Sequence, residues 1–149
     1  MLPTRKLPHM TVISTNVLQA QIGNMLTGFG LPLDTLHTLA AERTLALQLE
    51  GLPDLMLSLV EEEIWLWSML QNLSTNRLID CAPAVLTQLI RPVDGILGGQ
   101  LTLGEGEKGY ELKGQVNPRW LDQENGLLIT TQGFIRLLAV FCHATETDN

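Results

Sequence analysis

Two cysteines and three histidines are the residues with which this chain could do nucleophilic or metal chemistry. Cys81 and Cys142 stand 61 residues apart with no second thiol near either, which is neither a disulfide framework nor a zinc spacing and fits a reducing compartment. His9, His37 and His143 are isolated, with no HxxxH or HExxH arrangement to hold a metal. A Cys–His nucleophile would have to be assembled by the fold. Cys142, however, falls on the apolar side of the last helical pattern, where a free thiol behaves as a small core hydrophobe.

Three further patterns invite a chemical reading. Gly104, Gly106 and Gly109 spell a G-x-G-x-x-G, but a dinucleotide site needs a helix to follow, with its N-terminus on the pyrophosphate. Here Tyr110–Val116 alternates like a strand, and Glu105 and Glu107 would repel phosphate, so a hairpin tip is the better reading. Glu61-Glu62-Glu63 could supply paired carboxylates or ligate calcium; adjacent residues at a strand corner point different ways, which favours a solvated turn. Trp65 and Trp67 are two apart and share one face of a strand, as core under a helix or as an exposed strip that grips a partner. No motif supports catalysis.

Composition narrows the classes further. The chain has 149 residues, 9 Lys+Arg against 16 Asp+Glu, and a formal net charge of −7. That acidity argues against a nucleic-acid binder or a polybasic membrane-surface protein, since both work through cationic groups. Hydrophobic residues make 45% and charged residues 17%, which excludes general disorder. The uncharged stretch Leu7–Leu33 carries His9, Ser14, Asn16, Gln19, Gln21 and Asn24, too polar for a membrane span. Pro8 and His9 stand where a signal peptide needs its apolar run.

The elements follow from periodicity. Leu18, Ile22, Met25, Leu26 and Phe29 form one stripe of a helix over about Thr11–Phe29, stopped by Gly28, Gly30 and Pro32. Alternation at Leu45–Leu49, Leu55–Leu59 and Ile64–Trp67 predicts a three-stranded antiparallel meander. Because Met56, Val60, Trp65 and Trp67 leave neither sheet face fully polar, both sides are expected to be covered. Leu78, Ala82, Val85, Leu86 and Leu89 predict a second helix over about Arg77–Ile90, with Pro83 marking its first turn or a kink. A hairpin from Gln100–Leu103 and Tyr110–Val116 comes next, and a last helix over Asn125–His143 carries Phe134, Leu137, Leu138 and Phe141.

The expected fold is therefore α+β: a five-stranded antiparallel sheet with three helices in the order α-β-β-β-α-β-β-α. A single domain spans 11–144, between a flexible segment 1–10 and a frayed tail 145–149. With the first and last helices covering the sheet, the middle helix is free to pair with a second copy of itself.

In this order of elements, and in several local strings, the chain resembles the class I chaperones of bacterial type III secretion systems, in particular the class IB branch of the SpaK/InvB type. The strings are the helix end Gly28-Phe29-Gly30, the strand Ile64-Trp65-Leu66-Trp67 after an acidic corner, the strand Tyr110-Glu111-Leu112, and a closing helix rich in Leu and Phe. The likeness runs from Thr11 to Ala144. It implies a homodimer built around the second helix, through Leu78, Val85, Leu86, Leu89 and Ile90. It also implies a non-catalytic protein of the bacterial cytoplasm, without cofactor, that binds the N-terminal segments of secreted effectors and keeps them soluble and secretion-competent. Such a segment would wrap around apolar patches, here Leu26, Phe29, Trp65, Trp67, Leu101 and Leu103, and add a strand to a sheet edge. The secretion ATPase is a further candidate partner. Two other readings compete: a small Cys/His-dependent enzyme, and a regulatory adaptor on the same dimeric scaffold.

Overall fold

The computed structural model describes residues 15–31 and 43–146. The segment 1–10, the expected first turn of helix at 11–14 and the last three residues lie outside the described residues. Helix α1 (Thr15–Gly28) ends as its glycines require. Gly30 takes φ +71°, its N–H donates to Thr27 O (3.0 Å), and the N–H of Leu31 donates to Leu26 O (2.8 Å). That double closure is the Schellman end, which favours glycine at its left-handed position.

Strands β1 (Thr44–Leu47), β2 (Leu55–Val60) and β3 (Glu63–Leu70) form the meander. Its second corner is tighter than alternation alone indicates. Val60 pairs with Glu63, so Glu61 and Glu62 alone make the turn, at φ 49° and 69°. A two-residue hairpin with both residues left-handed matches the twist of the strands, but it suits Asn-Gly far better than two glutamates.

The second helical region is two helices, α2 (Thr75–Asp80) and α3 (Ala82–Leu89), where one was expected. Ser74 caps α2 by accepting from the N–H of Arg77 (3.1 Å). Cys81, at φ −103° and ψ 12°, interrupts the run, and Pro83 sits in the first turn of α3, where its missing N–H is tolerated. Strands β4 (Thr102–Gly106) and β5 (Gly109–Gln115) close around Glu107-Lys108. A short 3₁₀ turn (Pro118–Asp122) leads into α4 (Gly126–Thr145).

All neighbouring strands are antiparallel, in the order β1-β2-β3-β5-β4, so β1 and β4 are the edges. One face of the sheet carries Leu45, Leu47, Leu55, Leu57, Ile64, Leu66, Leu70 and Leu112, all buried. They share a single core with Ile22, Met25 and Leu26 of α1 and Leu127, Phe134, Leu138 and Phe141 of α4. The core stripe of α4 is thus spent inside the domain, while Ile129 and Val140 stay exposed. The opposite face carries Met56, Ser58, Trp65, Trp67, Met69, Glu111, Lys113 and Gln115, all half-exposed. The expected cover on both sides is not found: among the described residues, α1 and α4 serve one face only.

Gln21 fixes how the two helices meet. Its buried side chain donates from Nε2 to Leu121 O (2.9 Å) and Gln123 O (2.7 Å), and its Oε1 accepts from the N–H of Leu127 (3.0 Å). The last bond satisfies an orphan N–H in the first turn of α4, which Asn125 does not cap with its side chain. The 3₁₀ turn is in turn pinned by Trp120, whose indole N–H donates to Gly126 O (2.8 Å). Gly95, at φ +86°, lets the loop after α3 pass close by, because a Cβ there would lie 2.7 Å from the Trp120 ring.

Two stability predictions follow from this geometry. Gln21→Leu leaves two buried backbone groups, Leu121 O and the N–H of Leu127, without this partner, while Gln123 O keeps the N–H of Gly126; it should cost about 2–4 kcal/mol, measured by chemical denaturation. Replacing Glu61-Glu62 by Asn-Gly relieves two left-handed side chains and should raise stability by about 1 kcal/mol in the same assay.

Candidate functional site: the uncovered face of the sheet

Among the described residues, the groups that could react are not brought together. Cys81 is buried in the core, its Sγ 3.9 Å from Leu78 O. Cys142 is half-buried on α4, and burial first, then the nearby Glu146 carboxylate, push its thiol pKa up. Both causes work against a thiolate at neutral pH, the reverse of what a nucleophilic cysteine needs. Exposed His143 neighbours it in sequence but turns to Glu146, with Nδ1 3.5 Å from a carboxylate oxygen. His9 and His37 lie outside the described residues. Gly104, Gly106 and Gly109 belong to the β4–β5 hairpin, with a strand and no helix after them. Among the described residues, no group of His, Cys, Asp and Glu is placed to hold a metal.

The apolar residues singled out from the sequence divide into three sets. Leu26 and Leu101 are interior, at 0% and 4% exposure, and belong to the core and not to a binding patch. Phe29 and Leu103 are half-buried against that core. Trp65 and Trp67 stand on the uncovered face. There the register builds cross-strand rows: Ala46, Met56, Trp67, Lys113 and Thr102 in one, Thr44, Ser58, Trp65 and Gln115 in the next. The Trp67 indole N–H donates to Ser58 Oγ (2.9 Å), which fixes the ring across β2 and leaves its apolar surface outward.

The second helical region carries two apolar stripes one residue out of step. Leu78, Val85 and Leu89 turn inward, with Val85 fully buried. Ile79, Leu86 and Ile90 turn outward, 66%, 63% and 58% exposed. Of the five residues expected at a dimer seam, Leu86 and Ile90 are therefore available on the surface, Leu78 and Leu89 partly so, and Val85 is not. Ile79, not among the five, is exposed too; the same spacing of seven and four residues that links Leu78, Val85 and Leu89 links it to Leu86 and Ile90.

A cleft of about 770 Å³ opens at one end of the uncovered face. Its walls are the Gly51–Asp54 turn, Met56, Trp67 and Met69 of the strands, the Leu70–Leu73 turn, and Cys142, Thr145 and Glu146 at the end of α4. Arg77 holds that last wall: its Nε donates to Thr145 O (2.9 Å) and its terminal nitrogen to Glu146 O.

These surfaces define a small α+β domain whose distinguishing feature is bare apolar area on a sheet and a helix, rimmed by acids. Residues 30–107, just over half of the chain, match the Invasion protein B family. The surface presentation of antigens protein SpaK of Salmonella typhimurium is 31% identical over 98 residues, covering 66% of this chain and 73% of the relative. SpaK of Salmonella typhi matches to the same extent. Among solved structures, a chain of the heterodimeric ExoU–SpcU complex from the type III secretion system of Pseudomonas aeruginosa superposes with a TM-score of 0.49 at 20% identity, covering 80% of this chain and 96% of that one. The chain belongs to the Invasion protein B family, the SpaK/InvB-type class IB chaperones of type III secretion.

The environment of Cys142 makes a prediction of its own. A raised thiol pKa means less thiolate at a given pH, so alkylation by iodoacetamide near pH 8 should be slower than for an exposed cysteine peptide. Glu146→Gln removes a charge that disfavours the thiolate, lowers the pKa and should speed the reaction.

Proposed function

We propose that the protein is a non-catalytic cytoplasmic chaperone that binds the N-terminal segments of type III secretion effectors and holds them soluble and competent for export. The observation that carries this reading is the sheet face left uncovered among the described residues, where Trp65, Trp67, Met56 and Met69 stand half-exposed between the edge strands β1 and β4. An extended segment gains sequence-tolerant backbone pairing at an edge and side-chain contacts on the face, which lets one chaperone serve several cargoes. Exposed acids at Glu50, Asp54, Glu61, Glu62 and Glu63 surround that apolar area and oppose its non-specific collapse.

In this reading the working unit is a homodimer. The outward stripe Ile79, Leu86 and Ile90 is the surface that pairs, with Leu78 and Leu89 at its margin. Burying it between two copies removes large side chains from water at about 25 cal/mol per Å² of apolar area. Contact with the secretion ATPase belongs to the same proposal as a second partner.

The test combines assembly with cargo. Light scattering at micromolar concentration should give a dimer, and Leu86→Asp/Ile90→Asp should give a folded monomer by circular dichroism. Co-expression with an effector's N-terminal segment should yield a soluble complex, while Trp65→Ala/Trp67→Ala should weaken capture by about tenfold or more and leave the dimer intact. A wild-type monomer that captures no effector segment would overturn the proposal. Unusually fast labelling of either cysteine would instead favour the Cys/His enzyme, and a regulator in place of an effector as bound partner would favour the adaptor.

A further inference from the structure

We propose that the cleft beside Trp67 and Met69 receives a bulky apolar side chain of an extended partner segment whose neighbouring residues are lysine or arginine. This rests on the protein-binding reading above and gives it a particular anchor, with a particular charge.

The shape and lining of the cleft carry the apolar half. Its volume lies within the range of roughly 300–1,000 Å³ typical of ligand sites, and Leu52, Pro53, Met56, Trp67, Met69 and Leu73 contribute apolar walls. It opens beside the strands that bear Trp67 and Met56, so a chain leaving the cleft continues over the uncovered sheet face. Thioethers are deformable and adapt to different apolar side chains, which suits an anchor site that accepts more than one sequence.

Charge carries the other half. Among the described residues, the ionised side chains at the cleft are Asp54 and Glu146, both exposed, and no Lys, Arg or His lines it. Arg77 is committed to the backbone carbonyls of Thr145 and Glu146 and holds the wall. Glu50 lies beside the Gly51–Asp54 turn, Glu61, Glu62 and Glu63 stand at the opposite corner of β2 and β3, and Lys113, cross-strand from Trp67, is a cation on the face; no basic residue lies between Arg43 and Arg77 in sequence. A cationic flank would gain attraction from both rim carboxylates; an acidic flank would meet repulsion at each.

Cys142 reports on occupancy, because it lines the cleft while Cys81 is buried. The experiment uses the full chain and two synthetic peptides with one apolar core of Leu, Met and Phe, flanked either by lysines or by glutamates. Binding is read from tryptophan fluorescence, and location from protection of Cys142 against alkylation. The Lys-flanked peptide should bind about tenfold or more tightly at low ionic strength, with the preference fading as salt approaches about 1 M. It should also slow Cys142 labelling. Asp54→Lys/Glu146→Lys changes two exposed side chains and should reverse the preference between the peptides.

Equal affinities, a preference unchanged in the double variant, or binding that leaves Cys142 as reactive as in the free protein would each overturn the proposal. So would protection of Cys142 that rises with protein concentration alone, since a second copy would then fill the cleft. Undiminished capture of an effector segment by the double variant would sink the cleft assignment and leave the chaperone reading standing. Failure of effector segments to bind either protein would sink that reading itself.

Discussion

One constraint shapes the molecule: among the described residues, the helices cover one side of the five-stranded sheet and not the other. Helices α1 and α4 meet on the inner face and fill it with leucine and phenylalanine, while the other face keeps its tryptophans and methionines half in water. A monomer normally avoids bare area of this kind. Here the face is held outward by register. A slip of one residue would trade Trp65 and Trp67 for Ile64 and Leu66 and expose the core. The structure that stabilises the domain is thus the same one that presents its sticky side.

The acidity of the chain acquires a location from this arrangement. The carboxylates gather at the corners and ends of the meander, around the apolar strip and the cleft, and away from the interior seam. Carboxylates placed this way favour a cationic approach over an acidic one. The exposed stripe Ile79, Leu86 and Ile90 belongs to α2 and α3, not to the strands that carry the tryptophans.

Much of this was legible in the residues. Alternation gave the meander, the glycines after Thr27 gave the end of α1, and the spacing of Phe134, Leu138 and Phe141 gave the inner face of α4. Periodicity could not decide which side of the sheet the helices would choose, because leucines on one side and tryptophans on the other are both apolar; total buried volume decides that. It also merged two stripes in the second helical region. Leu78, Val85 and Leu89 are offset by one residue, about 100° around the axis, from Ile79, Leu86 and Ile90. Pooled, they look like one broad face, and only packing separates the inward row from the outward one. Leu26 and Leu101 were misplaced for a similar reason, since hydrophobicity marks the core and the binding patch alike. The cleft gave no sequence signal, as its walls come from three distant stretches of chain.

The amide of Gln21 has a consequence in time as well as in space. It bonds to groups of residues 121, 123 and 127, a hundred or more positions later in the chain. During synthesis α1 emerges early, yet its buried partners do not exist until the closing helix has been made. Until then its apolar stripe and the inner face of the meander stay open, and non-local contacts of this separation are slow to form. The domain therefore cannot close its core until the last helix has been made and can dock on the first.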